Sequence, residues 1–225
     1  GNFVLPISSY IYDYYSKFNI GQMILPILAD VGEFDHISKE YSDIKRFIFP
    51  ANGKMKDSLN DMLAAINDLL AEYDLNAEFH FCGIDKAEIY RNCNDDVISK
   101  IIVHEWMKYD ELIDLYKKMD FLLLARKECQ MTMANFPSKI PEAMTYGVIP
   151  VASIVGDYTK YYLKDNVNSI LFYGHDRKEI SKAILRAYNL SSKEKDKMSK
   201  EAFNMVKTRL DYNNWDATLR GFLEK

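Results

Sequence analysis

Six short apolar runs, each followed by a stretch with helical spacing, restrict this chain to a narrow set of folds. The runs cover residues 46–49, 77–82, 99–103, 120–125, 148–153 and 169–172. The helical stretches cover 56–73, 86–93, 109–118, 137–146, 158–163 and 176–189. Within 56–73, Leu59, Met62, Leu63, Ile66, Leu69 and Leu70 share one helical face. Strands that alternate with helices and read as continuous apolar runs predict a parallel sheet covered on both faces. Right-handed crossovers then give an α/β, doubly wound, six-stranded, Rossmann-like sheet. Such sheets bind ligands beyond the carboxyl ends of their strands, where the strand order reverses. The loops to search are therefore 50–55, 83–85, 104–108, 126–136, 154–157 and 173–175.

The ends of the chain follow a different pattern. A strand–helix–strand stretch (3–7, 9–18, 23–26) leads into a polar connector, 30–43. After Leu190 a charged stretch beginning near Ser191 or Ser192 reads as a solvated helix. A last helix, 214–223, carries Trp215, Leu219, Phe222 and Leu223.

Composition narrows the function. The 225 residues are 48% hydrophobic and 28% charged, which excludes a disordered tail or a fibre. The net charge of −4 argues against a general nucleic-acid binder, while leaving room for a local basic pocket. No apolar run approaches the ~18 residues of a transmembrane helix. The three cysteines (Cys82, Cys93, Cys129) cannot all pair, and none forms a metal-ligand cluster, so a reducing, cytoplasmic setting is expected. The histidines (His36, His80, His104, His175) are scattered. There is no G-x-G-x-x-G after the first strand, no phosphate-binding G-x4-G-K motif, no G-x-S-x-G elbow and no metal-ligand spacing.

One segment is specific. Asp120 to Ala125, Phe136, Glu142-Ala143-Met144, Gly147, Pro150-Val151-Ala152-Ser153, Gly156 and Asn166-Val167-Asn168 with Leu171 occur in a fixed order. That order resembles the nucleotide-binding core of retaining glycosyltransferases of the GT-B fold, especially family 4. The runs 77–84 and 101–125 resemble the upstream strands of the same core. Residues 1–43 resemble the end of that family's N-terminal domain and its linker, 44–208 its nucleotide-sugar-binding domain, and 209–225 the helix that crosses back. The resemblance implies that this chain is the donor-binding half, the rest of the N-terminal domain being missing. It implies a UDP- or GDP-sugar donor, no tightly bound cofactor or metal, and a glycan or lipid-linked acceptor, in glycan or surface-polysaccharide synthesis. The cytoplasmic enzyme is then expected to reach the inner face of a membrane through the missing domain. A non-catalytic binding or scaffold module of the same fold, a sugar-nucleotide epimerase, and a doubly wound regulatory module stay open beside it.

The site follows residue by residue. Pro137 suits a first helical position, and the free N–H groups of that turn, with Ser138 and a mobile Lys139, are expected to hold a diphosphate. The family's Gly after Phe136 is Pro137 here, which removes one N–H. By resemblance Glu142 binds the ribose hydroxyls, as a carboxylate can accept two hydrogen bonds from a vicinal diol. Lys56 matches the lysine that grips the diphosphate and stabilises the leaving group. The preceding arginine position is Ala51, with Gly53 and Lys54 nearby as substitutes. Trp106 is expected to flank the base. The first glutamate of the family's pair falls on Ala134, so Glu128 is the candidate to move into its catalytic role.

Overall fold

The computed structural model describes residues 3–32, 39, 42–50 and 56–224. Six parallel strands form the sheet: β3 (Lys45–Pro50), β4 (Ala77–Cys82), β5 (Ile101–His104), β6 (Phe121–Leu124), β7 (Ile149–Ser153) and β8 (Ile170–Phe172). Their order is β5-β4-β3-β6-β7-β8, so the winding reverses between β3 and β6. All six expected runs overlap these strands. Alternation along each strand sorts the core. Phe47, Phe79 and Phe121 stack across neighbouring strands at 5.0 and 4.9 Å and face α2 (Leu59–Glu72) and α7 (Arg177–Tyr188). Ile48, Leu122 and Ala152 face the opposite layer, built from α4 (Tyr109–Tyr116), α6 (Lys139–Thr145) and α8 (Ser192–Arg209). Burial of both faces explains why the strands read as unbroken apolar runs.

Several boundaries differ from expectation. Helix α2 starts at Leu59, so Lys56 precedes it. The chain there is diverted by Ser58, whose N–H donates to the Ala125 carbonyl at 2.9 Å. Residues 126–136 hold a short helix, α5 (Gln130–Met133), expected as loop. Gly156, at φ +66°, lets the chain after β7 pass against it, for an added Cβ would lie 3.3 Å from the Thr132 carbonyl. Residues Tyr158–Tyr162 form a π-helical turn. The segment read as a solvated helix is α8, and one of its faces is buried, including Lys195, Met198, Ala202, Phe203 and Val206. Beneath the sheet, Lys195 Nζ donates to Asp120 Oδ1 at 2.7 Å while Asp120 Oδ2 accepts the Arg46 N–H at 2.9 Å.

The amino-terminal residues form a small parallel pair, β1 (Phe3–Val4) and β2 (Gly21–Gln22), joined by α1 (Ser9–Tyr15). Two further hydrogen bonds, Met23 N–H to Val4 and Leu25 N–H to Pro6, prolong the pairing. Pro6 has no N–H to return across the pair, so the regular ladder ends at Val4, short of the expected 3–7, and the second strand falls at 21–22, ahead of the expected 23–26. Residues near Ala29 then bond to the turn after α8, through Ala29 N–H to Leu210 and Tyr212 N–H to Ala29. The last helix, α9 (Asp216–Leu223), returns to this end of the molecule, where Phe222 meets Phe3 edge-on at 5.3 Å.

Candidate functional site

Two cavities open at the carboxyl ends of the strands, around the reversal between β3 and β6. The first holds about 330 Å³ and runs between the ends of β3 and β4, the segment 105–107, α4 and the start of α6. The second holds about 310 Å³ and lies between residues 56–57, Arg126, residues 135–139 and two residues of the amino-terminal segment, Ile7 and Ile27. Ser138 and Lys139 line both. The two cavities therefore adjoin at a seam formed by these two residues.

The first cavity has an aromatic rim, a carboxylate and an apolar floor. Trp106 lies on the wall with 81% of its surface exposed, leaving an indole face free for a flat partner. Gly83 turns the chain at φ +76°, its N–H donating to the carbonyls of His104 and Glu105 at 3.0 and 2.8 Å. Glu142 is half-buried, and its N–H donates to the Ser138 carbonyl at 3.2 Å. Burial raises its carboxyl above the ordinary value, against the opposing pull of Ser138 and Lys139. Beneath it the Tyr116 hydroxyl is buried with no hydrogen-bond partner among the described residues.

The second cavity is built on a buried ion cluster. Asp57 Oδ1 accepts from Arg126 Nε at 2.7 Å, and Asp57 Oδ2 accepts from Lys139 Nζ at 2.8 Å. Lys139 also donates to the Pro50 carbonyl, and Arg126 Nη1 to Asn135 Oδ1 at 2.8 Å. Burial raises the Asp57 carboxyl, but attraction to Lys139 and Arg126 outweighs it and the net shift is downward. At Lys139 burial prevails over the attraction of Asp57 and lowers the ammonium. Phe136 forms part of the wall, buried edge-on against Tyr158 and Tyr162 at 6.2 and 5.4 Å. Lys56 is exposed on the same rim.

Of the residues singled out from sequence, Lys56, Phe136, Ser138, Lys139, Glu142 and Trp106 line one or both cavities. Gly53 and Lys54 lie outside the described residues. Glu128 is exposed and lines neither cavity. Lys139 is held by two acceptors, and so is not the mobile cation expected. Pro137 also precedes the position expected for it: Ser138 caps α6 with backbone already helical (φ −58°, ψ −31°), and the helix begins at Lys139. Sequence reasoning passed over Asp57, Arg126 and Asn135. The available signal was an arginine set directly after the buried run 121–125, at the end of a central strand.

The whole arrangement can hold a flat ring and a diol at one end, a polyanion at the seam and a polar group at the other end. Among the described residues no cluster of three or more His, Cys, Asp or Glu could hold a metal ion. No helix among them is long and apolar enough to cross a membrane.

Comparisons with known proteins bear on the family and the fold. A family model described as glycosyl transferases group 1 matches residues 44–189. No curated protein sequence matches the chain. Among solved structures, a glycosyltransferase from Rickettsia africae superimposes over 98% of this chain and 62% of its own, with TM-score 0.76 at 13% identity. S. aureus TarM in complex with UDP gives TM-score 0.77 at 13% identity, over 99% of this chain and 43% of its own. Anabaena HepE in complex with UDP and glucose gives TM-score 0.71 at 13% identity, over 99% of this chain and 63% of its own. The chain thus spans roughly half the length of its structural neighbours, and its fold is theirs.

Proposed function

Because this chain belongs to the glycosyl transferases group 1 family, we propose that it is the nucleotide-sugar-binding half of a retaining glycosyltransferase acting in glycan or surface-polysaccharide synthesis. The observation that carries this reading is the pair of cavities that share Ser138 and Lys139, one with the Trp106 ring and the Glu142 carboxylate, the other with cationic side chains. The base lies against Trp106 in the first cavity, and Glu142 accepts from the ribose hydroxyls. The diphosphate crosses the seam beside Lys139 and Lys56. The sugar enters the second cavity, where the acceptor, a glycan or lipid-linked sugar, meets it from a preceding N-terminal domain. The UDP held by two structural neighbours supports a uridine diphosphate donor; a GDP-sugar fits the same outline. The donor is a substrate, with no tightly bound cofactor, and the protein works in the cytoplasm.

Transfer requires the sugar–phosphate bond to break with charge growing on the departing diphosphate and on the sugar ring. Fixed cations aimed at the diphosphate oxygens stabilise that charge at no reorganisation cost when the bond breaks. Lys139, already locked in place, is such a group, and the rim cation Lys56 adds to it. Glu128 has no part in this reading, since it lines neither cavity.

Calorimetry with UDP and GDP on the full-length protein tests the assignment. Lys56→Ala is expected to weaken the preferred nucleotide roughly ten- to hundred-fold, as for a lost charge-assisted hydrogen bond. Unchanged binding removes Lys56 from the site. Binding of neither nucleotide by the parent protein defeats the donor-binding reading. Binding without consumption of any donor moves it to a non-catalytic module of the same fold.

A further inference from the structure

We propose that Arg126 is the residue that binds the distal phosphate of the donor diphosphate, the one bonded to the sugar. The inference rests on the donor-binding reading and adds a residue that the sequence pattern did not point to. Arg126 directly follows the run that ends β6, beside the strand reversal. Its backbone is fastened to β7 on both sides: its N–H donates to Ser153 Oγ at 2.7 Å, and Ser153 Oγ donates to its carbonyl at 3.1 Å. Its side chain is only 4% exposed. A guanidinium carries five N–H donors in a rigid fork. Among the described residues, Asp57 and Asn135 receive one hydrogen bond each from it. Removing a guanidinium from water for a single ion pair is seldom favourable. A side chain held this way, with donors to spare on a cavity wall, is arranged to receive a second anion.

Position decides which anion. Lys139 lines both cavities, whereas Arg126 lines only the second. A nucleoside in the first cavity therefore sets its proximal phosphate beside Lys139 and its distal phosphate beside Arg126. The charges also balance. Arg126 and Lys139 against Asp57 leave one net positive charge, and Lys56 on the rim brings a second. These oppose the two negative charges of a sugar diphosphate ester. Asp57 is then a positioning residue, keeping two cations apart at fixed places until the phosphates arrive. A planar fork suits two oxygens of one phosphate, which a lysine point charge does not match.

The test is calorimetry on the full-length protein with uridine, UMP and UDP, or with guanosine, GMP and GDP if the parent prefers guanine. Arg126→Gln is expected to weaken the diphosphate on the order of ten- to hundred-fold and to leave the monophosphate and nucleoside unchanged. Arg126→Lys is expected to recover part of the loss. Because Arg126→Gln leaves buried Asp57 with one cation fewer, the double variant Asp57→Asn with Arg126→Gln is measured beside it, and thermal melting checks that each is folded. Equal weakening of mono- and diphosphate shows that Arg126 only supports the fold, and unchanged diphosphate binding removes it from the site. If the parent binds neither diphosphate, the donor-binding reading fails first and this inference with it.

Discussion

His80 and His104 are on adjacent strands and stack face to face, with ring centroids 5.3 Å apart and His80 Nδ1 3.0 Å from His104 Nε2. Such a contact requires at least one neutral ring. Burial, and then the neighbouring His104, lowers His80 from its ordinary 6.5 to about 4, against the opposing pull of Glu78. The unfolded chain takes up a proton near pH 6.5, while the folded chain resists until about pH 4. The unfolded state thus binds more protons between those values, and stability falls as pH falls through that window. Between pH 7 and pH 5 the loss is about 2 kcal/mol, at ~1.4 kcal/mol per pH unit. Urea unfolding of the parent and of His80→Leu at both pH values measures it. The variant should lose about 2 kcal/mol less than the parent, and equal losses in the two proteins disprove the assignment. His80 shows how far a residue's chemistry is legible without structure. Its register on β4 was readable, but its stacking on His104 depends on strand pairing. The same holds at the site. Ser138, Lys139 and Glu142 lie within little more than one helical turn and could be singled out together. Asp57 and Arg126 are 69 positions apart, and only the fold brings them to one ion pair.

At the scale of elements, the six strands were legible because each is a compact apolar run between turns, a local signal. Helix α8 was not. Its charges conceal a stripe at Met198, Ala202, Met205 and Val206, spaced for one helical face, and its buried Lys195 resembles any solvated lysine in sequence. The partner is Asp120, the residue before β6, which holds Lys195 with one oxygen and the Arg46 N–H with the other. Lys39, whose side chain donates to the Met119 carbonyl, is lowered to about 7, chiefly by burial and against the attraction of Asp120. One carboxylate therefore fastens α8, β3 and β6 and offsets the buried ammonium of Lys195 and the half-buried one of Lys39. Asp120→Ala removes the carboxylate that both cations face, a loss of about 3–5 kcal/mol. Denaturant unfolding at pH 7 reads the value. A loss below about 1 kcal/mol means that the cluster contributes little and that apolar packing alone holds α8.

Across the whole molecule, the amino-terminal segment is joined to the sheet at few points, and these points adjoin the second cavity. Helix α1 buries none of its residues, so packing contributes little to its attachment. Its amino end is held by polar contacts. Asp157, buried in the chain after β7, accepts from Ser9 N–H at 2.5 Å and from Ser9 Oγ at 2.7 Å. Ser8 Oγ donates to the Ala134 carbonyl at 3.0 Å. Ile7, one residue earlier, is part of the cavity wall together with Ile27. The side of the cavity that faces the amino-terminal segment is thus set by one aspartate and two serines, beside Ile7 and Ile27, which pack against the core. Loss of two hydrogen bonds to a charged acceptor is worth about 1.5–3 kcal/mol each. The effect of Asp157→Ala should stay local, since the sheet has its own core and contacts of this kind open sub-globally. Hydrogen exchange is expected to speed up at Ser9 and through α1 by an order of magnitude or more, while amides of β3 and β6 keep the parent's protection. If α1 exchanges as before, something other than Asp157 holds it. If β3 and β6 lose protection equally, the segment and the sheet unfold as one unit, and the cavity wall cannot loosen independently of the fold.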